Sequence, residues 1–164
     1  MAERKRITAG SNLDANVAIS RAPRSLDLGE LKVHLVTPRG KIAQEHTDAV
    51  TAPGEMGEFE VLPGHVPMLS ELHPGVLSLG ERSRHVYAVG RGYLRVDAGG
   101  DIEILVDDAI PAEKIDAAGA QAELKQLADE LDEWTEPPNA AWKTLKSRHD
   151  WAQARVLASR ALSH

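Results

Sequence analysis

The sequence predicts an all-β sandwich of two antiparallel sheets, followed by a C-terminal antiparallel α-helical hairpin. From Leu31 to Val106, apolar and polar residues alternate, and turn-forming residues interrupt the alternation about every eight to twelve positions, which is typical of a sandwich or barrel. After Ile110-Pro111 the apolar residues instead recur with a helical period. The Pro137-Pro138 pair divides this helical stretch into two segments, and a short connection leaves such segments antiparallel.

Short runs with period two predict the clearest strands. In the first run Leu31, Val33 and Leu35 share one face. The runs are "LKVHLV", "FEVL", "HVYAV" and "DIEILV". Segments with Gly and Pro lie between them, and Asp97–Asp101 ("DAGGD") is a strong hairpin signal because glycine accepts positive φ. These connections are too short for helical crossovers, so we expect the sheets to be antiparallel.

Two helices are predicted, one on each side of the proline pair. The first begins with acidic residues, which the helix dipole favours. Its apolar stripe consists of Ile115, Ala118, Ala122, Leu124, Leu127, Leu131 and Trp134. Asn139 is the expected N-cap of the second helix. The apolar side of that helix consists of Trp142, Leu145, Ala152, Val156 and Leu157.

These elements divide the chain into three parts. Residues 1–30 mix "ERKR" with Gly, Ser, Asn and scattered hydrophobic residues. Such a composition cannot bury enough surface to fold alone, so we expect a flexible N-terminal extension. An organelle-targeting peptide is the alternative, although the four acidic residues here are unlike the acid-poor composition of such peptides. Residues 31–110 form the predicted β-sandwich domain, and residues 111–164 form the predicted helical hairpin domain.

Composition excludes several classes of partner and site. The chain carries 25 acidic and 19 basic residues, a net charge of −6, and only 4% of its residues are aromatic, so we expect no nucleic-acid partner. Without cysteine, neither a disulfide nor a thiolate metal site can form. No apolar run reaches the ~18 residues of a membrane span, so we expect no direct membrane insertion.

The two predicted helices carry opposite charge. Residues 112–136 hold eight acidic residues against two lysines, a net charge of −6, and residues 139–164 hold five basic residues against Asp150, a net charge of +4. One interpretation is that the helices complement each other and solvate their outer faces. The other is that the last helix leaves its partner and docks on an acidic protein surface. The basic residues of that helix are Lys143, Lys146, Arg148, Arg155 and Arg160.

Seven histidines invite a search for a metal or catalytic site. His65 and His73 lie eight positions apart with neither a carboxylate at ligand spacing nor an HExxH motif, so we expect no metal. The "GRG" at Gly90–Gly92 lacks the third glycine of a dinucleotide site, and we expect no cofactor. Glu58 and His65 could form an acid–base couple, which leaves a small hydrolase or ligand-binding β-sandwich as the alternative function.

One long segment carries a specific resemblance to a known family. The sequence "APGEMGEFEVLPGHVPMLSELHPGVLSL" (Ala52–Leu79), followed by "VYAVGRGYLRV" and "IEILVDDAIPAEKID", resembles the epsilon subunit of the rotary proton-translocating ATP synthase, whose mitochondrial counterpart is called delta. The LPGHxPxL run and the segment Gly90–Val96 are specific in combination. The resemblance covers about residues 31–116 in register, and the hairpin in architecture.

The resemblance implies a noncatalytic rotor subunit of the central stalk. In this family a β-sandwich grips the gamma subunit and touches the polar loops of the membrane c-ring, and two helices extend along gamma and restrain ATP hydrolysis. The partners so implied are the gamma subunit, the c-ring and, through the C-terminal helices, the catalytic alpha and beta subunits. The implied location is peripheral, on the cytoplasmic face of the bacterial inner membrane, with an organelle membrane as the alternative.

Carried over by position, the resemblance places Glu58 where the family has an acidic residue near the c-ring loops. Glu60 stands where the family usually has glycine, which makes this surface more acidic. The implied contact with c-ring and gamma comprises Glu58, Glu60, Pro63, Gly64 and His65. The structural alternative is that Glu58 is an ordinary solvated strand residue and that His65 packs or hydrogen-bonds at its turn.

Some members of the family bind ATP in the hairpin through an I/L-D-x-x-R-A motif. Here the matching positions begin with Ile115 and Asp116, but Gly119 replaces the arginine. The cation that would face a phosphate is missing, and a glycine within a helix costs about 1 kcal/mol relative to alanine. This departure argues against ATP sensing at Ile115 and Asp116, and for a loosely held first helix.

Overall fold

The computed structural model describes residues 29–81 and 84–163. Within these ranges the chain forms ten β-strands, one short 3-10 helix and two α-helices. The strands are β1 (Leu31–Thr37), β2 (Gly40–Thr47), β3 (Val50–Gly54), β4 (Gly57–Val61), β5 (Met68–Leu72), β6 (Gly75–Leu79), β7 (His85–Val89), β8 (Gly92–Val96), β9 (Asp101–Val106) and β10 (Ala109–Pro111). The 3-10 helix spans Ala112–Lys114, α1 spans Ala117–Asp132 and α2 spans Ala140–Ala161. The predicted N-terminal extension lies, except for its last two residues, outside the described residues.

The strands form two layers that cover each other. Hydrogen bonding follows the order β10-β7-β6-β3-β5-β8-β9-β1-β2, with β4 paired to β3, and a single residue pair, Gly54 with Leu72, joins β3 to β5. In a flat sheet β6 and β1 would lie about 24 Å apart. Yet Leu77 of β6 and Val33 of β1 belong to one buried cluster. Because α2 covers the opposite face of β6 and β7, this cluster lies between two layers of strands. The sheet therefore folds onto itself, and the predicted sandwich is confirmed.

The sandwich core is built from the inward positions of the alternating runs. Val33 and Leu35 of β1 pack with Ile102 and Ile104 of β9, and all four are fully buried. Burial of each such side chain stabilises the fold by about 1.5–3 kcal/mol. The period-two pattern thus identified the inward positions of β1 and β9 correctly, because inward and outward positions alternate along a strand. In β7 both faces are buried: Tyr87 and Val89 face the sandwich core, and α2 covers Val86 and Ala88.

One strand pair departs from the antiparallel expectation. Strands β1 and β9 are parallel, in a register that pairs Lys32 with Asp101 and Val36 with Leu105. The other strand pairs of the described chain are antiparallel. The expectation rested on short connections, which fix the direction only of strands that follow each other in the chain. Because β1 and β9 are remote in sequence, no turn constrains their relative direction.

Side-chain caps define the start of both helices. The Asp116 side chain accepts a hydrogen bond from the Gly119 backbone N–H at 3.1 Å, and the Asn139 side chain accepts one from the Trp142 N–H at 3.0 Å. The N-cap predicted at Asn139 is therefore confirmed, and such caps stabilise a helix by about 1 kcal/mol each. Neither helix of the described chain is long and apolar enough to cross a membrane.

Helix α2 lies between the sandwich and α1. On one side Ala158 packs with Val86 and Ala88 of β7, and on another side Leu145 and Ala152 pack with Leu127 of α1. This arrangement explains one wrong assignment. Leu157, expected on the apolar side, is 46% exposed, because α2 buries two separate faces and a single stripe does not describe it.

Candidate functional site

Exposed acidic side chains cluster at the turn between β3 and β4 and on the adjoining strands β4 and β5. We call this surface the acidic tip and define it as Glu55, Glu58, Glu60 and Glu71, with Met56 at the apex of the turn. Glu58 and Glu60 both point away from the core, since Phe59 and Val61 between and after them pack inward. Met56 at the apex is 99% exposed.

A shallow depression of about 390 Å³ lies at the acidic tip. Its lining includes Glu55, Glu58 and Glu71 together with the apolar side chains of Met56 and Leu69. No basic residue of the described chain lines it, and neither Glu58 nor Glu60 has an ion-pair partner there. The tip therefore presents uncompensated negative charge beside exposed apolar surface.

The loop after β4 is a rigid turn. Residues Leu62 to His65 form a β-turn closed by a hydrogen bond from the His65 N–H to the Leu62 carbonyl at 3.1 Å. Pro63 occupies the second position and Gly64 the third, where its φ of 86° is the positive value that a type II turn requires. The Nδ1 atom of His65 lies 2.8 Å from the Val66 carbonyl oxygen, to which it donates. His65 therefore forms a hydrogen bond at its turn, as the structural alternative predicted.

Glu58 and His65 do not form a catalytic couple in this fold. Within the described residues no hydrogen bond joins them, and the depression that Glu58 lines does not include His65. The His65 ring instead bonds to the backbone of its own loop. No cluster of three or more potential metal ligands occurs in the described part of the chain. Nothing in this geometry favours the hydrolase alternative.

An exposed apolar surface, which the sequence interpretation missed, adjoins the acidic tip. We call it the apolar face and define it as Leu69 of β5, Tyr93 of β8 and Leu105 of β9. Their exposed fractions are 68%, 53% and 46%. Tyr93 and Leu105 are direct cross-strand partners, and Leu69 also lines the depression at the acidic tip. The signal was present in the sequence: one outward position of "YLRV", Tyr93, and one of "EILV", Leu105, hold an apolar rather than a charged residue.

The five basic residues of α2 are not equally available. Arg155 donates to Glu123 of α1 at 2.6 Å, Arg160 donates to Gln121 of α1 at 2.9 Å, and Lys146 pairs with Asp150 within α2. For Lys143 and Arg148 no ion-pair partner is found among the described residues. In this conformation the hairpin therefore satisfies three of the five cations internally.

Asp150 has a perturbed pKa. Burial raises the pKa of its carboxyl, but hydrogen bonds from Lys146 and His149, with the charges of both groups, outweigh burial and hold the pKa below its usual range. The His149 ring nitrogen Nδ1 lies 3.1 Å from the Asp150 oxygen Oδ1. Asp150 is thus held as a carboxylate that neutralises part of the positive charge of α2.

The two residues considered for ATP binding have structural roles here. Asp116 caps α1, and Ile115 packs against the cluster between α2 and β7. A Cβ atom added at Gly119 would lie 2.4 Å from the Asp116 carboxylate, so the glycine makes room for the cap. The neighbouring Arg155 is already engaged by Glu123.

Comparison with known proteins gives a consistent result. Residues 30–112 match the family model described as ATP synthase, Delta/Epsilon chain, beta-sandwich domain. The ATP synthase epsilon chain of Magnetococcus marinus is 37% identical over 127 residues, which cover 77% of this chain and 91% of that protein. The ATP synthase epsilon chain of Geobacter metallireducens is 37% identical over 128 residues, with the same two coverages.

Two solved structures share the fold. A chain of the Euglena gracilis mitochondrial ATP synthase (OSCP/F1/c-ring) superposes with a TM-score of 0.67 at 22% identity, covering 82% of each chain. A chain of the Tetrahymena thermophila mitochondrial ATP synthase (central stalk/c-ring) gives a TM-score of 0.56 at 19% identity, covering 80% of this chain and 97% of that one. At these identities the likeness concerns the fold.

Proposed function

Since the chain belongs to the family of ATP synthase delta/epsilon chains, it is a noncatalytic subunit of that synthase, and we propose that it couples the gamma subunit to the membrane c-ring during proton-driven ATP synthesis. The observation that carries the proposal is the adjacency of two unlike surfaces at one end of the sandwich. Leu69 belongs to the apolar face and also lines the depression at the acidic tip. A stalk subunit needs two such contacts, one for each partner.

The acidic tip is the proposed contact with the polar loops of the c-ring. Its carboxylates lie on the turn between β3 and β4 and on the adjoining strands β4 and β5, and no basic residue of the described chain lines the depression. A basic loop would meet this charge with complementary potential, which favours orientation and association rate more than affinity. The rigid turn formed by Pro63, Gly64 and His65 lies after the same strand and is the proposed second part of this contact with c-ring and gamma.

The apolar face is the proposed contact with gamma. Three large apolar side chains, each about half exposed or more, stand on adjacent strands β5, β8 and β9. Tyr93 and Leu105 are direct cross-strand partners, and Leu69 lies opposite Arg95 as their diagonal neighbour. Exposed apolar side chains grouped on one surface are characteristic of protein–protein interfaces. The Arg95–Glu103 pair, at 2.7 Å on the same strands, supplies the polar rim that such interfaces usually have.

The hairpin domain comprises residues 111–164 in this proposal. It acts as a brake on ATP hydrolysis. Docking of α2 on the catalytic alpha and beta subunits requires it to separate from the sandwich and from α1. Separation exposes the side chains that α2 packs against its neighbours, which include Ala152 and Ala158 as well as the larger Leu145 and Trp151. Lys143 and Arg148 are available before release, whereas Arg155 must first leave Glu123. The proposal does not include ATP sensing at Ile115 and Asp116.

The proposed location is peripheral, on the cytoplasmic face of the bacterial inner membrane. The support is that the curated relatives named above come from bacteria and are ATP synthase subunits. Attachment would then run through the c-ring rather than through a segment of this chain.

The c-ring contact is tested by reversing the charge of the acidic tip. Glu58→Lys should weaken the binding of a reconstituted complex of gamma and this chain to purified c-ring, and the loss should be largest at low salt, where surface charges are least screened. Glu130→Lys is the matched control, because Glu130 is also exposed but lies on α1. Equal effects of both substitutions would show that net charge, and not the acidic tip, controls binding.

A further inference from the structure

Two methionines of the described chain have opposite environments. The sequence holds three methionines and no cysteine, so methionine sulfur is the sulfur that an oxidant can reach in this protein. Met56 is 99% exposed, whereas Met68 is half-buried in β5 and packs against the sandwich core. Met1 lies outside the described residues. A dissolved oxidant therefore meets the sulfur of Met56 far more often than that of Met68.

The hairpin of β3 and β4 holds Met56 at its apex. Gly54 and Gly57 are paired across the two strands, so Glu55 and Met56 alone form the loop. Gly57 has a φ of 119°, a value that favours glycine, and this conformation allows so short a loop to close. Because the strand pairing fixes both ends of the loop, the hairpin presents the Met56 thioether to solvent instead of packing it on the sandwich.

Carboxylates surround the exposed thioether. Glu55, Glu58 and Glu71 line the same shallow depression as Met56, and no basic residue of the described chain lines it. The negative potential of such a group lowers the local concentration of anions and leaves that of neutral molecules unchanged. An uncharged oxidant such as hydrogen peroxide therefore reaches the Met56 sulfur freely, whereas an anionic oxidant is repelled.

We propose that Met56 is a site of reversible oxidation by hydrogen peroxide, and that its oxidation weakens the contact of the acidic tip with the c-ring. The sulfur forms a bond to one peroxide oxygen as the O–O bond breaks, and the proton of the transferred oxygen passes to the departing hydroxide. The products are methionine sulfoxide and water, so the sulfur loses the two electrons that the peroxide gains. A methionine sulfoxide reductase with a dithiol reverses the step: the dithiol becomes a disulfide and the oxygen leaves as water.

Oxidation changes the surface of the acidic tip and leaves the core as it is. The sulfoxide is polar, so the apex loses the flexible apolar side chain that Met56 supplies beside Leu69. A side chain that is 99% exposed is not packed on the rest of the chain, so the oxidised protein keeps its fold. The effect on binding rests on the function proposed above, whereas the oxidation itself does not. In that function the c-ring covers Met56, so oxidation acts on the free chain and assembly protects it.

The oxidation is tested on the full chain alone, with peptide mass spectrometry after timed exposure to hydrogen peroxide. We expect Met56 to be oxidised about tenfold faster than Met68, because only Met56 is open to solvent. Peroxymonosulfate, an anion, is the second oxidant. Added salt should accelerate its reaction at Met56 by screening the carboxylates, and should leave the reaction with hydrogen peroxide unchanged. Equal rates at Met56 and Met68 would overturn the site, and a salt-independent rate with peroxymonosulfate would overturn the role of the carboxylates.

The effect on binding is tested with chain that is oxidised alone and then combined with untreated gamma and purified c-ring. Oxidation should weaken binding to the c-ring about tenfold, the loss expected for one apolar side chain removed from an interface. Reductase with dithiothreitol should restore the affinity. Met56→Leu is the matched control, since it keeps an apolar side chain without sulfur: it should bind as the parent does, before and after peroxide. Met56→Gln, polar like the sulfoxide, should bind weakly without peroxide.

The outcomes separate this proposal from the c-ring contact on which its effect depends. If peroxide weakens the binding of Met56→Leu as much as that of the parent, Met56 is not the sensitive residue. If Glu58→Lys weakens binding while oxidised Met56 does not, the c-ring contact stands and the effect of oxidation on it is wrong. If neither change alters binding, and Met56 is oxidised equally fast in the free and the assembled chain, the c-ring contact itself is wrong.

Discussion

Asp150 links the charge of α2 to the stability of the hairpin. Lys146 and His149 both contact its carboxylate, and all three side chains belong to the same helix. Since these contacts hold the pKa of Asp150 below its usual range, the folded state favours the charged form. The stabilisation is therefore fully present above the unfolded-state pKa of about 3.9, and it is lost as the pH falls through the lower pKa of the folded state.

Asp150→Asn should accordingly destabilise the chain by about 1 kcal/mol at neutral pH, because two charge-assisted hydrogen bonds are weakened. The difference from the parent chain should shrink as the pH falls below the unfolded-state pKa, and it should vanish once the parent carboxyl is itself protonated in the folded state. Urea unfolding from pH 7 to pH 2.5 measures it. Asp129→Asn, an exposed aspartate of α1 without a side-chain hydrogen bond in the described chain, is the control. A constant difference at every pH would contradict the assignment.

Residue roles that depend on local geometry could be predicted from the sequence. Asn139 was identified as a cap, and the "LPGH" stretch as a turn, because proline and glycine at fixed positions specify turn geometry directly. Tyr93 and Leu105 were missed, because alternation assigns outward positions to solvent and says nothing about a partner that covers them. The pairing of Arg155 with Glu123 spans 32 positions, and only the packing of the two helices brings these residues together.

At the scale of elements, α2 is packed on two sides, against the sandwich and against α1. The Glu123–Arg155 pair connects it to α1, and the Arg155 guanidinium also lies 5.7 Å from the centre of the Trp151 ring. The Arg155 side chain is only 19% exposed. Loss of its carboxylate partner leaves a largely buried cation uncompensated, which costs more than the loss of an exposed pair.

Glu123→Gln should therefore loosen the hairpin. Amide exchange in α1 and α2 should accelerate while exchange in the β-strands stays unchanged, and inhibition of hydrolysis in a complex with gamma and the catalytic head should become stronger. Asp129→Asn is again the control, as it alters the charge of α1 without touching α2. If Glu123→Gln leaves inhibition unchanged, and truncation after Pro111 does not relieve it, α2 is not the brake.

The elements themselves were predictable because each is specified locally. The four period-two runs predicted β1, β4, β7 and β9, and the change of period after Pro111 predicted the hairpin. The parallel pairing of β1 with β9 was not predictable, since it joins strands remote in the chain. Nor was the position of α2 between α1 and the sandwich, because a helix that is buried on two faces lacks a single apolar stripe.

At the scale of the whole molecule, the sandwich separates three surfaces with different chemistry. The acidic tip and the apolar face adjoin each other at Leu69. The hairpin covers a different part of the sandwich, the outer face of β6 and β7. A rigid sandwich between two contact surfaces can transmit torque, because a close-packed core deforms little under load.

Leu105→Gln should weaken binding to gamma severalfold, since it replaces part of the apolar face with a polar group while the buried core stays unchanged. Leu157→Gln is a matched control: both leucines are 46% exposed, and Leu157 lies on α2 away from the apolar face. Surface plasmon resonance with immobilised gamma measures the difference. Equal affinities for the two variants would mean that gamma binds elsewhere on the sandwich.

The most direct test of the stalk assignment is copurification of the affinity-tagged full chain from the membranes of its own host, with a photoreactive residue at position 58. The account predicts that gamma and the c subunit copurify with the chain and that the cross-link from position 58 joins it to the c subunit. Recovery of the chain without either subunit would contradict the account, whereas recovery of both with a cross-link to another subunit would contradict the role of the acidic tip.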